Sequence, residues 1–143
     1  MPGGPGPLPR LAVCEAAIDA MSLAALEGER CDTLYAATAG GIGPATIAAL
    51  QELLRVLASD PAGLLIAATD ADRAGRRTAA RLAALAMEAG VRFDAILPLD
   101  GLNDWNNVLC ALGPVALTPD RVLHRPPALL IDRASTGKNP VMV

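Results

Sequence analysis

Short apolar runs alternate with longer stretches of helical periodicity along most of this chain. The third run, residues 64–68, is uniformly apolar, as a strand covered on both faces of a sheet must be. Four strands are predicted, at residues 11–14, 33–37, 64–68 and 91–97. Four helices are predicted from apolar residues three and four apart, at residues 16–26, 44–57, 73–89 and 104–112. The alternation predicts an α/β fold with a mainly parallel sheet of about four strands flanked by helices.

Proline and glycine concentrate at the two ends of the chain. Residues 1–9 hold four Pro and three Gly, and five Pro follow residue 112. The whole chain of 143 residues is long enough to form one hydrophobic core. We therefore predict a flexible N-terminal segment at 1–9, one domain at 10–112 and a Pro-rich C-terminal extension at 113–143.

Two aspartates stand one residue apart directly after the third predicted strand, at Asp70 and Asp72. Ligands of open α/β sheets bind at the carboxyl ends of strands, where both acids fall. Two like charges this close repel each other unless a cation or donor lies between them, and Mg²⁺ typically takes one or two carboxylates. The pair is therefore predicted to bind Mg²⁺ or Mn²⁺. A helix N-cap would also explain Asp72, but it gives Asp70 no role.

A third carboxylate, Glu15, follows the first predicted strand, and a parallel sheet brings it to the same edge as Asp70 and Asp72. Three converging carboxylates can hold a divalent cation, and Glu15 can act as general acid or base on a phosphate oxygen or an attacking hydroxyl. Asp19 lies one helical turn beyond Glu15 and is predicted to face the same way. Two alternatives stay open: Glu15 interacts only with a helix dipole, and Asp19 is only solvated.

Arginines form a stripe on the third predicted helix, beginning beside the aspartates. They are Arg73, Arg76, Arg77 and Arg81. Cations in a first helical turn oppose the helix dipole, so Arg73 and Arg76 are unfavourable there unless they meet phosphate or carboxylate. We predict that Arg73, Arg76 and Arg77 bind nucleic-acid phosphates, while Arg81 fits an ordinary solvated face equally well.

Composition and motif content exclude several other classes. The net charge of −3 argues against a binder with a strongly basic surface, so any contact with nucleic acid must be local. The glycine turn at residues 40–43 matches neither the dinucleotide-binding fingerprint nor a P-loop. Three widely spaced cysteines and one histidine form no zinc pattern, and no apolar stretch is long enough to span a membrane. A reduced, cytoplasmic protein is expected.

Three short stretches follow one another along the chain: Glu15-Ala16-Ala17-Ile18-Asp19, Thr38-Ala39-Gly40-Gly41 and Asp70-Ala71-Asp72-Arg73-Ala74-Gly75. Their order and spacing resemble the Toprim domain of bacterial primases, topoisomerases and small nucleases. The resemblance implies a Rossmann-like Toprim fold, with Glu15 as general acid/base and Asp70 and Asp72 as Mg²⁺ ligands. It also implies secondary roles for Asp19, which matches a second acid of the primase branch, and for Gly40 and Gly41.

A later stretch, Asn103-Asp104-Trp105-Asn106, resembles the Lys-Asp-Trp-Asn of Toprim-like domains in plasmid and phage primase or mobilisation proteins. Leu102-Asn103 stands where that family has its lysine, and Asp104 is retained. The resemblance implies Mg²⁺-dependent nucleotidyl or phosphoryl transfer, primase-like, in replication or plasmid mobilisation. Its implied partners are single-stranded DNA, nucleotides and replication or relaxase proteins. The alternatives are a Toprim nuclease and a non-catalytic docking domain.

Overall fold

The computed structural model of the protein describes residues 8–99, 101–117 and 133–134. The predicted N-terminal segment 1–9 falls outside this range except for its last two residues. The predicted extension 113–143 also falls outside it, except for residues 113–117 and the backbone of 133–134. Within the described range, no helix is long and apolar enough to cross a membrane.

Strands and helices alternate as predicted, and most of their bounds agree within one residue. The strands are β1 Arg10–Cys14, β2 Thr33–Ala37, β3 Leu64–Ala67, β4 Arg92–Ile96 and β5 Arg133–Ala134. The helices are α1 Ala17–Leu26, α2 Pro44–Ala58, α3 Arg73–Ala89 and α4 Trp105–Leu112. Pro44 takes the first position of α2, where a missing N–H costs nothing.

The sheet has the strand order β2-β1-β3-β4-β5. Strands β1 to β4 run parallel, and Val13 of β1 lies opposite Ala36 of β2 and Ala67 of β3. The predicted α/β fold with a mainly parallel sheet is therefore confirmed. The fifth strand comes from the predicted extension and pairs antiparallel with β4. Because β1 and β3 are neighbours, the residues that follow them meet at one edge.

Two apolar layers cover the sheet, because successive strand residues point to opposite faces. Leu11, Val13 and Leu65 pack with α2 and α3 on one face. Ala12, Cys14 and Ile66 pack with α1 and α4 on the other. The sheet is thus covered by two helices on each face, and the acidic residues lie at the edge formed by the carboxyl ends of its parallel strands.

A buried ion pair secures the opposite end of β1. Arg10 donates to both carboxylate oxygens of Glu27, at 2.8 and 2.7 Å, and to Thr33 Oγ1 at 3.0 Å. The Tyr35 hydroxyl donates to Glu27 Oε2 at 2.6 Å. Arg10 is 6% exposed and Glu27 9% exposed, so the pair is sheltered from water. The contact links the first strand to the end of α1, and the hydrophobic pattern gave no sign of it.

The chain stays packed beyond α4. Val115 N–H donates to the carbonyl of Ala25 and Leu117 N–H to that of Leu26, both at 2.8 Å. Ala116 between them is 7% exposed. These bonds satisfy carbonyl groups in the last turn of α1, which a helix cannot satisfy by itself.

Candidate active site

The acidic residues lie at the carboxyl edge of the sheet, in the turns after β1 and β3. We call residues 68–72, which connect β3 to α3, the acidic loop. Glu15 reaches it across the strand boundary: Glu15 Oε2 accepts the backbone N–H of Asp70 at 3.1 Å. The glutamate and the aspartate pair are thus brought together, although 55 residues separate Glu15 from Asp70.

The second oxygen of Glu15 is held by a residue that sequence analysis did not assign to the site. Thr78 on α3 donates its hydroxyl hydrogen to Glu15 Oε1 at 3.1 Å. The polarity of Thr78 alone gave no sign of this partner. No side chain caps α1, whose N-cap residue is Ala16. Glu15 is therefore oriented by the acidic loop and by α3.

Asp72 caps α3. Its Oδ1 accepts the backbone N–H of Gly75 at 2.7 Å, and the residue has the extended backbone of an N-cap. One oxygen of the Asp72 carboxylate is therefore bonded to the start of α3, and its second oxygen can contact a cation. The cap and the predicted metal contact are therefore compatible.

Among the described residues, Asp70 has the only buried carboxylate oxygen without a hydrogen-bond partner. Its Oδ1 is buried and has no hydrogen-bond partner there, and the neighbouring Thr69 hydroxyl is in the same condition. Burial raises the pKa of Asp70 to about 7, and the charges of Glu15, Asp19, Asp72 and Asp104 add to the effect. A buried oxygen surrounded by like charges is stabilised by a proton or a cation.

Gly75 lets α3 approach this loop. A Cβ on Gly75 would lie 2.0 Å from the carbonyl oxygen of Asp70 and 2.9 Å from its nitrogen. No side chain fits between the helix and the loop at these distances. The glycine therefore sets the distance between the start of α3 and the backbone of Asp70.

The segment leading into α4 contacts the acidic loop from the other side. Asn103 accepts the backbone N–H of Ala71 at 2.8 Å. The indole Nε1–H of Trp105 donates to the carbonyl of Ala68 at 2.9 Å. Asp104, the predicted secondary residue, caps α4 by accepting the N–H of Asn107 at 2.7 Å.

Asp19 lies against α4. Its Oδ1 accepts the backbone N–H of Asn106 at 3.2 Å, and the residue is 5% exposed. Burial, opposed by that hydrogen bond, raises the pKa of Asp19, and the charges of Asp104 and Glu15 add to the rise. The alternative of a solvated Asp19 is wrong, since the side chain is buried and bonded to the start of a neighbouring helix.

The glycine turn after β2 borders Glu15. Ala39 N–H donates to the carbonyl of Glu15 at 3.0 Å. Ala39, Gly40 and Gly41 have φ values of 55°, 104° and 135°, and all three are exposed. The two glycines permit this left-handed run, which a chain of larger residues would strain. Gly40 and Gly41 therefore shape the turn beside Glu15.

The predicted arginines are exposed on α3, next to the acidic loop. Arg73, Arg76 and Arg77, together with Arg81, form no ion pair within the part of the chain that the structure describes. By contrast, Arg10, Arg30 and Arg55 each pair with a carboxylate. The stripe on α3 is thus a set of cations free to meet an anionic ligand.

A family model for Toprim-like domains matches residues 12–109, from within β1 to within α4. This chain belongs to the Toprim-like family. No curated protein and no solved structure matched the sequence in the corresponding comparisons. The matched range contains every site residue described above. Membership in the Toprim-like family supports action on nucleic acid in general terms.

Toprim domains generally bind Mg²⁺. Among residues 8–99 and 101–117, no group of three or more His, Cys, Asp or Glu side chains is arranged to hold a metal ion by itself. Mg²⁺ in phosphate-handling sites commonly takes only one or two carboxylates and completes its shell with water and substrate. The unpartnered Asp70 Oδ1, with Asp72 beside it, fits that kind of site in this Toprim-like domain.

Proposed function

We propose that this Toprim-like domain carries out Mg²⁺-dependent nucleotidyl or phosphoryl transfer on nucleic acid, in the manner of a primase. The observation that carries the proposal is the convergence of Glu15 on the acidic loop, where Asp70 keeps a buried, unpartnered oxygen. Such an oxygen has a chemical reason to bind a cation, and the exposed arginines of α3 begin at the same place. Family membership supports the nucleic-acid part of the proposal.

Each residue has a separate task in this proposal. Asp70 and Asp72 hold the cation, which when bound neutralises charge on phosphate oxygens. Glu15 accepts the proton of the 3′ hydroxyl as that oxygen bonds to the α-phosphorus of a nucleoside triphosphate and pyrophosphate leaves. Asp70 N–H and Thr78 orient its carboxylate for this task. Arg73, Arg76 and Arg77 hold the phosphates of the strand and so fix its position relative to the acids.

The same groups could direct water at a phosphodiester, which would make the domain a nuclease. A docking domain of a replication or mobilisation complex would keep the fold without turnover. We propose a reducing, cytoplasmic setting, in which the three free cysteines would stay reduced. The primase-like, nuclease and docking functions would give new primers, shortened DNA and no product, respectively, so one assay separates them.

The deciding experiment incubates the protein with single-stranded DNA, ribonucleotides and Mg²⁺ or Mn²⁺. Newly made primers support the primase-like activity, and shortened DNA supports the nuclease. The Asp70→Asn, Asp72→Asn double variant must abolish either product, whereas Glu88→Gln, an exposed residue in the last turns of α3, must not. If the parent protein yields neither product with either metal, the catalytic proposal is wrong. A pull-down for a primase, helicase or relaxase partner would then test the docking role.

A further inference from the structure

The segment that leads into α4 makes two hydrogen bonds to the acidic loop, one on each side of Asp70. We call residues 103–105 the α4 entry segment. Trp105 Nε1–H donates to the carbonyl of Ala68 at 2.9 Å, and the carbonyl of Asn103 accepts Ala71 N–H at 2.8 Å. Asp70 N–H between them is taken by Glu15. The backbone of the acidic loop is thus held at Ala68, Asp70 and Ala71.

The α4 entry segment and Asn106, which directly follows it, are themselves held by several contacts. Trp105 is completely buried and belongs to the apolar layer between the sheet and the helices α1 and α4. Asp19 of α1 accepts Asn106 N–H at 3.2 Å, and Ser22 Oγ of α1 donates to Asn106 Oδ1 at 3.3 Å. A segment anchored on a second helix can hold a loop in one place.

The acidic loop needs such support. Asp70 lies near four other carboxylates, those of Glu15, Asp19, Asp72 and Asp104, and mutual repulsion tends to spread them apart when no cation is present. Backbone groups bonded to a buried element resist that displacement. A site whose ligands are held before the ion arrives loses less freedom on binding.

We propose that Trp105 is a positioning residue of the site, which holds the acidic loop through its indole N–H so that Asp70 and Asp72 face one cation. The ordering of the loop stands on the observed contacts alone, and its consequence for cation binding rests on the proposed function. A tryptophan at this position is more than an apolar anchor, because a phenylalanine would fill most of the same space and leave the carbonyl of Ala68 without its donor.

The test compares Trp105→Phe with Val108→Ala in the full chain. Val108 is also on α4, is completely buried in the same apolar layer and makes no side-chain hydrogen bond to the acidic loop. Both variants lose packing, but only Trp105→Phe loses the indole donor. Far-UV circular dichroism identifies a temperature at which both remain folded, and all measurements are made there.

The first measurement is amide hydrogen exchange in the metal-free protein. We expect Trp105→Phe to speed exchange at Asp70 and Ala71 by about fivefold relative to Val108→Ala, the equivalent of one typical hydrogen bond. Equal exchange in the two variants overturns the inference. This measurement needs neither metal nor activity.

The second measurement is the affinity for Mn²⁺ by titration calorimetry. We expect the Kd for Mn²⁺ to be about tenfold higher in Trp105→Phe and unchanged in Val108→Ala. This is the usual size of effect for residues that orient metal ligands. An unchanged Kd in Trp105→Phe overturns the role in cation binding. If the parent itself binds no Mn²⁺, the proposed metal site fails, and hydrogen exchange still decides whether Trp105 orders the loop.

Discussion

Gly75 and Asp70 approach so closely that a single added methyl group on Gly75 would lie 2.0 Å from the carbonyl oxygen of Asp70. We expect Gly75→Ala to force α3 away from the acidic loop and to lower the free energy of unfolding by about 1–3 kcal/mol, as overpacking usually does. Thermal unfolding measures the loss. Gly43→Ala adds the same methyl group without a clash, because nothing lies within 4 Å of its added Cβ and its φ of −89° suits any residue. As Gly43 is the N-cap of α2, this control should show only the smaller cost of alanine at a cap. Equal melting temperatures for parent and Gly75→Ala would contradict the structure.

The raised pKa of Asp70 predicts that the stability of the metal-free protein depends on pH. This pKa rises from 3.8 to about 7 on folding, mainly through burial. Below pH 3.8 the Asp70 carboxyl is protonated in both the folded and the unfolded state, and the contribution of its raised pKa to stability is at its maximum. Between 3.8 and about 7 the folded state keeps a proton that the unfolded state has lost, so stability falls as the pH rises, and it levels off above about 7.

The measurement for Asp70 is a set of thermal melts across that range for the parent and for Asp70→Asn. Other groups titrate in the same interval, so the difference between the two proteins is the informative quantity. We expect Asp70→Asn to gain stability relative to the parent as the pH rises. A difference that stays constant with pH would contradict the shifted pKa.

Asp72 has one observed role, as the cap of α3, and one proposed role, as a cation ligand, and different substitutions separate the two. Asparagine caps a helix as well as aspartate does, so Asp72→Asn should keep α3 intact and lose Mn²⁺ affinity. Asp72→Ala should in addition lower the free energy of unfolding by about 1 kcal/mol, because the N–H of Gly75 loses its acceptor. Calorimetric titration with Mn²⁺ and urea denaturation measure the two effects. Parent-like Mn²⁺ binding in the Asp70→Asn, Asp72→Asn variant would remove both aspartates from the metal site.

Arg73 and Arg76 should contribute to nucleic-acid affinity through phosphate contacts. Replacing both with Ala should make the negative slope of log affinity against log salt shallower by up to about two. Each phosphate contact releases about one counterion on binding, and the variant makes two contacts fewer. Fluorescence anisotropy with single-stranded DNA at several salt concentrations gives the slope. The double control Arg55→Ala, Arg92→Ala removes the same charge from exposed positions away from the acidic loop and should change the slope less. Equal slopes for the two doubles would place the binding surface elsewhere.

Glu15→Gln should remove proton transfer while keeping the local structure. The amide oxygen can accept from Asp70 N–H and the amide nitrogen can donate to Thr78 Oγ1, so both hydrogen bonds survive. We expect turnover to fall by roughly 10²–10⁴-fold, the usual general acid/base contribution, with DNA affinity little changed. Steady-state kinetics and anisotropy on the same preparation separate the two. Full turnover in Glu15→Gln would exclude the residue as the acid or base.

The sequence predicted the helices and strands well, because their apolar spacing is regular. Helix α3 begins at Arg73 and ends at Ala89 as expected, since Asp72 supplies a cap and Gly90 adopts a φ of 70°. That Glu15, Asp70 and Asp72 lie at one edge follows from a parallel sheet alone, because the carboxyl ends of all its parallel strands share that edge. Their close approach depends also on β1 and β3 being neighbours, which only the structure shows.

Contacts between distant segments could not be predicted in the same way. Thr78 has the polarity of many helix residues, and only the packing of α3 onto the sheet shows that it reaches Glu15. The indole of Trp105 could be predicted to be buried, but the carbonyl it meets depends on where α4 docks. Arg10 and Glu27 break the rule that charges stay exposed, and nothing in their spacing indicates that they pair.

The assembly of the site from β1, the acidic loop, α3 and α4 means that the proposed cation binding would depend on the integrity of the whole domain. No continuous fragment shorter than about residues 15–105 contains all of these groups, so a shorter fragment, or an intermediate in which one of these segments is unfolded, lacks the complete site. A cation that binds only the folded form at 100 times its Kd adds about 2.7 kcal/mol to the free energy of unfolding. The free concentration of divalent metal would then act as a thermodynamic control on how much of this protein survives heat, denaturant and proteolysis.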